Sequence, residues 1–226
     1  MFVVFIAVNL LFIATTHAQQ NRGLISDIIL EKSASGNEFP IVNAAKVAAS
    51  LRYDVNDFKG VIRAVGDLKN DINSVTSVMP GLLTTEASTE YEIIVGTLGK
   101  NKLIDQLAKA KKIDVSELKG KWESFVITTI ENPQPGTKKS LVIVGSDKRG
   151  TIFGIYELSQ QLGVSPWYWW ADVPAKQRQS AYVLQGRYAS GEPKVKFRGL
   201  FINDEAPCLT SWVKNTYGTD HGDHRF

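Results

Sequence analysis

Between Ala48 and Leu162, short apolar runs alternate with stretches whose apolar residues recur every three or four positions. No other feature constrains the fold as much, because the runs read as buried strands and the recurrences as one face of a helix. Val61, Ile62, Val65, Leu68, Ile72 and Val75 fall on one face of a helix of about five turns. A turn over 54–57 precedes it with Asp57 as predicted N-cap, and Met79-Pro80-Gly81 is its predicted end. Ala48 to Tyr53 reads as a strand before that turn, and "YEIIVGTLG" as a buried strand running into a glycine turn. "NKLIDQLAKAKK" is a second helix, with Leu103, Ile104, Leu107 and Ala110 on its apolar face. "ESFVITTIEN" and "KSLVIVGS" are strands whose short connecting loop, "NPQPGTKK", permits an antiparallel pair. A third helix starts near Gly150 and is predicted to bury Ile152, Ile155, Tyr156, Leu158 and Leu162. "VKFRGLFIND" reads as a later strand ending in acidic residues. This order predicts an α/β class: a layered domain with a mixed sheet.

At 226 residues the chain has room for one domain, or one domain and the start of a second. The polar Gly/Ser/Pro stretch from Gln185 to Pro193 marks the boundary. The expected organisation is an α/β domain over 48–190, with 191–226 starting something else. Residues 19–47 look like a leader. Residues 1–18, "MFVVFIAVNLLFIATTHA", hold no Lys, Arg, Asp or Glu and end in small residues at the signal-peptidase positions. They read as a cleaved secretory signal, with mature protein starting at Gln19, extracellular and free of the membrane after cleavage. The apolar run is short for a membrane span.

Cys208 is the single cysteine, so no internal disulfide forms and stability rests on a packed core. The 26 basic and 23 acidic residues leave a formal charge of +3 without a basic run, which removes the electrostatic footprint of a nucleic-acid binder.

Four stretches could carry chemistry. "GSDKRGT", Gly145 to Thr151, joins a strand to a helix as a phosphate loop would, but Thr151 stands where the phosphate-binding Lys belongs. It is either a tight turn or a place where Asp147, Lys148 and Arg149 meet a polyhydroxyl or carboxylate ligand. "FINDEAP" brings Asn203, Asp204 and Glu205 to the end of an apolar strand, where α/β barrels carry their sites, or else forms a solvated turn closed by Pro207. His221, Asp223 and His224 in "HGDHRF" resemble metal ligands but read as exposed terminal residues, so no metal is expected. "SPWYWWADVP" gathers Trp167, Trp169 and Trp170 around Tyr168. It suits a hydrophobic seam between domains or a platform for sugar rings, whose apolar C–H faces lie flat on indoles.

"SDKRGTIFGIYELSQQLGVSPWYWWADVP" and "VKFRGLFINDEAPCLTSWV" together closely resemble the xylan α-1,2-glucuronidases of glycoside hydrolase family 115. "DFKGVIRAVGDLKNDINSVT" and "KGKWESFVITTIENP" resemble the fungal-type branch, and the likeness runs from about Ala48 to Gly218. It implies an N-terminal α/β domain like that of hexosaminidases and α-glucuronidases, then the start of a (β/α)8 barrel, truncated here. It implies inverting removal of glucuronic or 4-O-methyl-glucuronic acid side groups from glucuronoxylan or a related acidic polysaccharide, with no cofactor. Inversion needs an acid and a base roughly 6.5–9.5 Å apart. Asn203, Asp204 and Glu205 match the acidic end of the family's first barrel strand, and the resemblance gives them substrate contact. Asp147, Lys148 and Arg149 match a family loop and are assigned substrate binding from their charge. The four aromatics would join domain to barrel, mostly buried. No catalytic residue is assigned within the chain, which by itself is expected to be inactive. A homodimer of the full-length form is left open. The alternative is a non-catalytic, secreted carbohydrate-binding α/β module.

Overall fold

The computed structural model describes residues 25–199 and Phe201. The chain divides into two compact units, the first ending at Glu192 and the second starting at Pro193. The first unit contains strands β1 (Ile29–Leu30), β2 (Phe39–Val42) and β3 (Ser50–Arg52), then helix α1 (Lys59–Thr76). Strands β4 (Leu82–Leu83) and β5 (Tyr91–Thr97) follow, then α2 (Lys102–Lys109) and a 3-10 turn at Ser116–Leu118. Next come β6 (Phe125–Glu131), β7 (Lys139–Gly145), α3 (Lys148–Leu162), the short α4 (Tyr168–Ala171), β8 (Ala181–Val183) and β9 (Arg187–Ala189).

The main sheet has the order β4-β3-β5-β7-β6-β9. Its β4, β3, β5 and β7 run parallel, while β6 is antiparallel to both β7 and β9. The mixed α/β sheet read from the sequence is therefore present. Its central strands are apolar on both faces because both are covered. Ile93, Val95, Leu141, Ile143, Phe125 and Ile127 face one layer, where α1 and α3 supply Val61, Val65, Leu68, Ile72, Val75, Ile155, Leu158 and Leu162. Ile94, Val142, Val144 and Val126 face the other, under Ile104 and Leu107 of α2 and Ile113, Val115 and Leu118. Gly154 lets α3 settle on the sheet: a Cβ there would lie 2.8 Å from Ile143 Cγ2 and 3.1 Å from Phe125 Cγ.

Several expectations need correction. The segment read as leader is part of the fold from Ile25 onward. Ile28, Phe39, Ile41 and Val42 are fully buried in the same core as α1 and α3. β1 and β2 flank β8 in a small antiparallel sheet. Strands of two to four residues carry too little period to read, and their partner β8 lies far along the chain. The N-cap of helix α1 lies one residue later than predicted. Phe58 occupies the N-cap position without a side-chain bond, and Asp57 instead accepts from Phe58 N at 2.8 Å and Thr97 N at 2.8 Å. It ends at Ser77 in the left-handed region, ahead of Met79-Pro80-Gly81. Ala110 and Tyr156 are exposed rather than core, since the Tyr156 hydroxyl donates to Asp67 Oδ2 at 2.6 Å. In the second unit, the described residues 195–199 of the predicted strand "VKFRGLFIND" have no strand pairing.

Candidate functional site

Helices α1, α2 and α3 all begin at the carboxyl edge of the parallel strands β3, β5 and β7, the edge where open α/β sheets bind ligands. The Asp147–Arg149 loop lies here. Asp147 is the N-cap of α3: Oδ1 accepts from Gly150 N at 2.8 Å and Oδ2 from Glu123 N at 2.9 Å. Both carboxylate oxygens are therefore committed to backbone. Arg149 Nη1 pairs with Glu123 Oε1 at 3.0 Å, and its guanidinium sits 5.7 Å from the Phe153 ring. Lys148 is exposed. Thr151 packs against Gly145 where a Cβ would project, and its Oγ1 lies 2.8 Å from Thr97 Oγ1. The turn closes on itself, with Thr151 N also bonded to Asp147 O at 3.0 Å.

Asp54, Asp105 and Glu192 at this edge are engaged in the same way, whereas Glu86 lines the crevice there and is exposed. Asp54 accepts from Asn56 N at 2.9 Å and Lys102 N at 3.2 Å, and the Asn56 amide is the main cause that holds its carboxyl below the usual range. Asp105 accepts from Gly99 N, and Glu192 from Trp122 N at 3.2 Å. Between the ends of β3 and β5, which hand the chain to α1 and α2 on opposite faces, a crevice of about 390 Å3 is lined by Tyr53, Asp54, Asn56, Thr85, Lys102 and Gln106. Its floor holds a buried ion pair. Arg52 Nε and Nη2 donate to Glu92 at 2.6 and 2.9 Å, and Glu92 also accepts from Thr89 N, Gln134 Nε2 and Thr137 Oγ1.

The aromatic cluster lies elsewhere. It follows the far end of α3, about 22 Å from the Asp147 cap by helix length. The chain leaves the first unit at the other edge, where Ser190 N bonds Phe125 O and Glu192 bonds Trp122 N. Trp167 is 62% exposed and Tyr168 43% exposed. Among the described residues Trp167 is thus exposed on the first unit, and the seam expected between domain and barrel involves residues outside the described ones. Beside it, a cavity of about 480 Å3 is lined by Gln160, Ser165, Pro166, Val173, Pro174 and Lys176. Sequence reasoning missed Gln160, Lys176 and Glu123, which come to their sites only through tertiary contacts; their residue types carried no signal.

Asn203, Asp204 and Glu205 lie outside the described residues, as do His221, Asp223 and His224. Among the described residues no group of three or more His, Cys, Asp or Glu is placed to hold a metal, and no helix is long and apolar enough to cross a membrane.

Residues 45–158 match the family model described as Glycosyl hydrolase family 67 N-terminus, which spans β3 to β7 and most of α3. The first unit is thus the N-terminal α/β domain of a glycoside hydrolase. Residues 190–226 match Glycosyl hydrolase family 115. A solved family 115 4-O-methyl-α-glucuronidase with specificity for decorated arabinogalactans superposes with a TM-score of 0.62 at 33% identity, over 84% of this chain and 22% of its own. The chain belongs to glycoside hydrolase family 115, and it spans about a fifth of the length of that relative. A solved family 84 glycoside hydrolase shares 7% identity over 61% of this chain and 20% of its own, with a TM-score of 0.37, too weak a likeness to bear on the fold. No curated protein matches the chain.

Proposed function

We propose that the chain is the N-terminal part of a secreted enzyme that removes glucuronic or 4-O-methyl-glucuronic acid side groups from glucuronoxylan by inverting hydrolysis. The observation that carries this reading is the 33% identity to a 4-O-methyl-α-glucuronidase across 84% of the chain. Secretion rests on the uncharged apolar run before Ala18, and N-terminal sequencing of secreted protein is expected to find Gln19.

In this reading the first unit supports the chemistry without performing it. Inversion needs one carboxyl to protonate the leaving oxygen and a second to activate water. At the carboxyl edge Asp54, Asp57, Asp105, Asp147 and Glu192 each accept from backbone N–H groups, and Glu123 pairs with Arg149. In this reading the hydrolytic acid and base belong to the barrel, as the family resemblance implies. Asp204 takes a substrate contact, with Asn203 and Glu205 beside it, and the chain alone is inactive. The exposed Lys148 suits the sugar carboxylate better than Asp147, whose oxygens are occupied.

A second substrate reading is favoured by the same relative, whose described specificity is for decorated arabinogalactans. The deciding experiment compares release of 4-O-methyl-glucuronic acid from glucuronoxylan and from decorated arabinogalactan by a barrel-complete form. Greater release from glucuronoxylan supports the xylan reading, and greater release from arabinogalactan replaces it. Release from neither overturns the proposed activity.

A further inference from the structure

The exposed aromatic corner lies at the opposite end of α3 from the Asp147–Arg149 loop, and it has the composition of a ligand site. Local hydrogen bonds close its backbone. Trp167 N donates to Ser165 Oγ at 3.1 Å, Tyr168 N to Ser165 O at 3.0 Å and Ala171 N to Trp167 O at 2.8 Å. Asp172, with φ 50° in the left-handed region, turns the chain back. Lys176 N then closes the corner on Gly163 O at 3.0 Å. Gly163, with φ 116°, is needed there because a Cβ would lie 2.6 Å from Lys176 Cβ.

The corner presents Trp167, 62% exposed, beside a cavity of about 480 Å3. Pro166, Val173 and Pro174 give the cavity an apolar wall, and Gln160 and Lys176 add a few polar groups. That is the usual composition of a small-molecule site. Trp167, Tyr168 and Val173 are exposed together here, and a contiguous apolar patch marks a binding surface. The charge beside it selects the ligand. Lys176 Nζ and Arg178 Nη1 both approach the single oxygen Glu31 Oε1, at 3.8 and 3.2 Å. Arg178 is the nearer and is almost covered, whereas the Lys176 side chain is 63% exposed. Two cations on one carboxylate leave one positive charge, and Lys176 is the cation able to swing toward a ligand.

We infer that the corner built by Trp167, Val173, Pro174, Gln160 and Lys176 is an accessory glycan site. The Trp167 ring stacks on a pyranose, and Lys176 pairs with the carboxylate of a uronic acid side group. The inference rests on the proposed function only for its ligand class, an acidic oligosaccharide of the substrate polymer.

The test is a fluorescence titration of the 226-residue chain with xylotriose bearing one 4-O-methyl-glucuronic acid, against unsubstituted xylotriose. The wild-type chain is expected to bind the acidic sugar with a Kd in the low millimolar range or tighter, and at least about tenfold better than the neutral one. Trp167→Ala is expected to weaken both sugars about tenfold or more with an unchanged melting temperature, and Trp167→Phe to restore part of the loss. Lys176→Gln is expected to bring the acidic sugar down to the neutral level and leave the neutral sugar unaffected. Iodide is expected to quench the free wild-type chain more than Trp167→Phe, because the ring is open. No binding by the wild-type chain, undiminished binding by Trp167→Ala, or a Trp167 already shielded by a second copy or by the rest of the protein overturns the inference. The hydrolysis assay is separate. Uronic acid release by a barrel-complete enzyme alongside a non-binding chain sinks only the accessory site, and a binding chain without release by that enzyme sinks only the activity.

Discussion

Replacing Asp147 by Ala removes two acceptors at once, and the structure sets the size of the loss. One oxygen caps α3 through Gly150 N, and loss of such a cap costs about 0.5–2 kcal/mol. The other accepts from Glu123 N in a partly buried position, and an orphaned donor there costs about 1–3 kcal/mol. Together they predict destabilisation of about 2–4 kcal/mol, or roughly 4–16 °C in melting temperature for a chain of this size. Asp147→Ser is expected to keep the cap and lose only the second bond, which puts it about midway. The assay is thermal and urea unfolding of the three proteins, followed by circular dichroism. If Asp147→Ala melts within a degree of wild type while acidic-sugar binding falls, the capping role is refuted and Asp147 is a ligand group.

Three further outcomes are expected. Glu92→Ala leaves Arg52 buried without its partner and is expected to cost about 3–5 kcal/mol in chemical unfolding, whereas Arg52→Met combined with Glu92→Leu recovers most of it. The Ser33 hydroxyl is the main cause that brings the Glu38 carboxyl down to about 2 from 4.5, so its contribution is complete above pH 4.5 and is lost as pH falls toward 2. The melting temperatures of wild type and Glu38→Gln are therefore expected to differ at neutral pH and converge near pH 2. In a barrel-complete enzyme, Asp204→Ala is expected to lower kcat/KM on glucuronoxylan more than about tenfold, or ~1.4 kcal/mol of transition-state stabilisation; full activity would remove Asp204 from the site.

The parts of the fold legible in the sequence were those with enough residues to show a period. Val61, Val65, Leu68, Ile72 and Val75 announced α1, and the seven-residue runs of β5, β6 and β7 announced the sheet centre and the antiparallel pair. β1, β2, β8 and β9 were illegible because two to four residues carry no period and their partners are distant in the chain. Tyr156 sat on an apolar stripe, but its hydroxyl needed Asp67 and so turned outward. At Asp147 the residue type could not separate a helix cap from a ligand group, since both require an oxygen acceptor at a helix start. The dense tryptophans suggested a seam with the barrel, a contact that lies outside the described residues; on the first unit itself Trp167 is exposed.

The central claim is that the first unit belongs to a glucuronidase whose hydrolytic carboxyls lie in the barrel. Quantifying 4-O-methyl-glucuronic acid released from glucuronoxylan and from decorated arabinogalactan, by the 226-residue chain and by a barrel-complete form, tests it most directly. The account predicts no release from the short chain and steady release from the complete form, with inverted anomeric configuration in the first product. Turnover by the short chain would contradict the assignment of its carboxylates to capping and ion pairing, and a complete form that left both polymers intact would contradict the proposed activity.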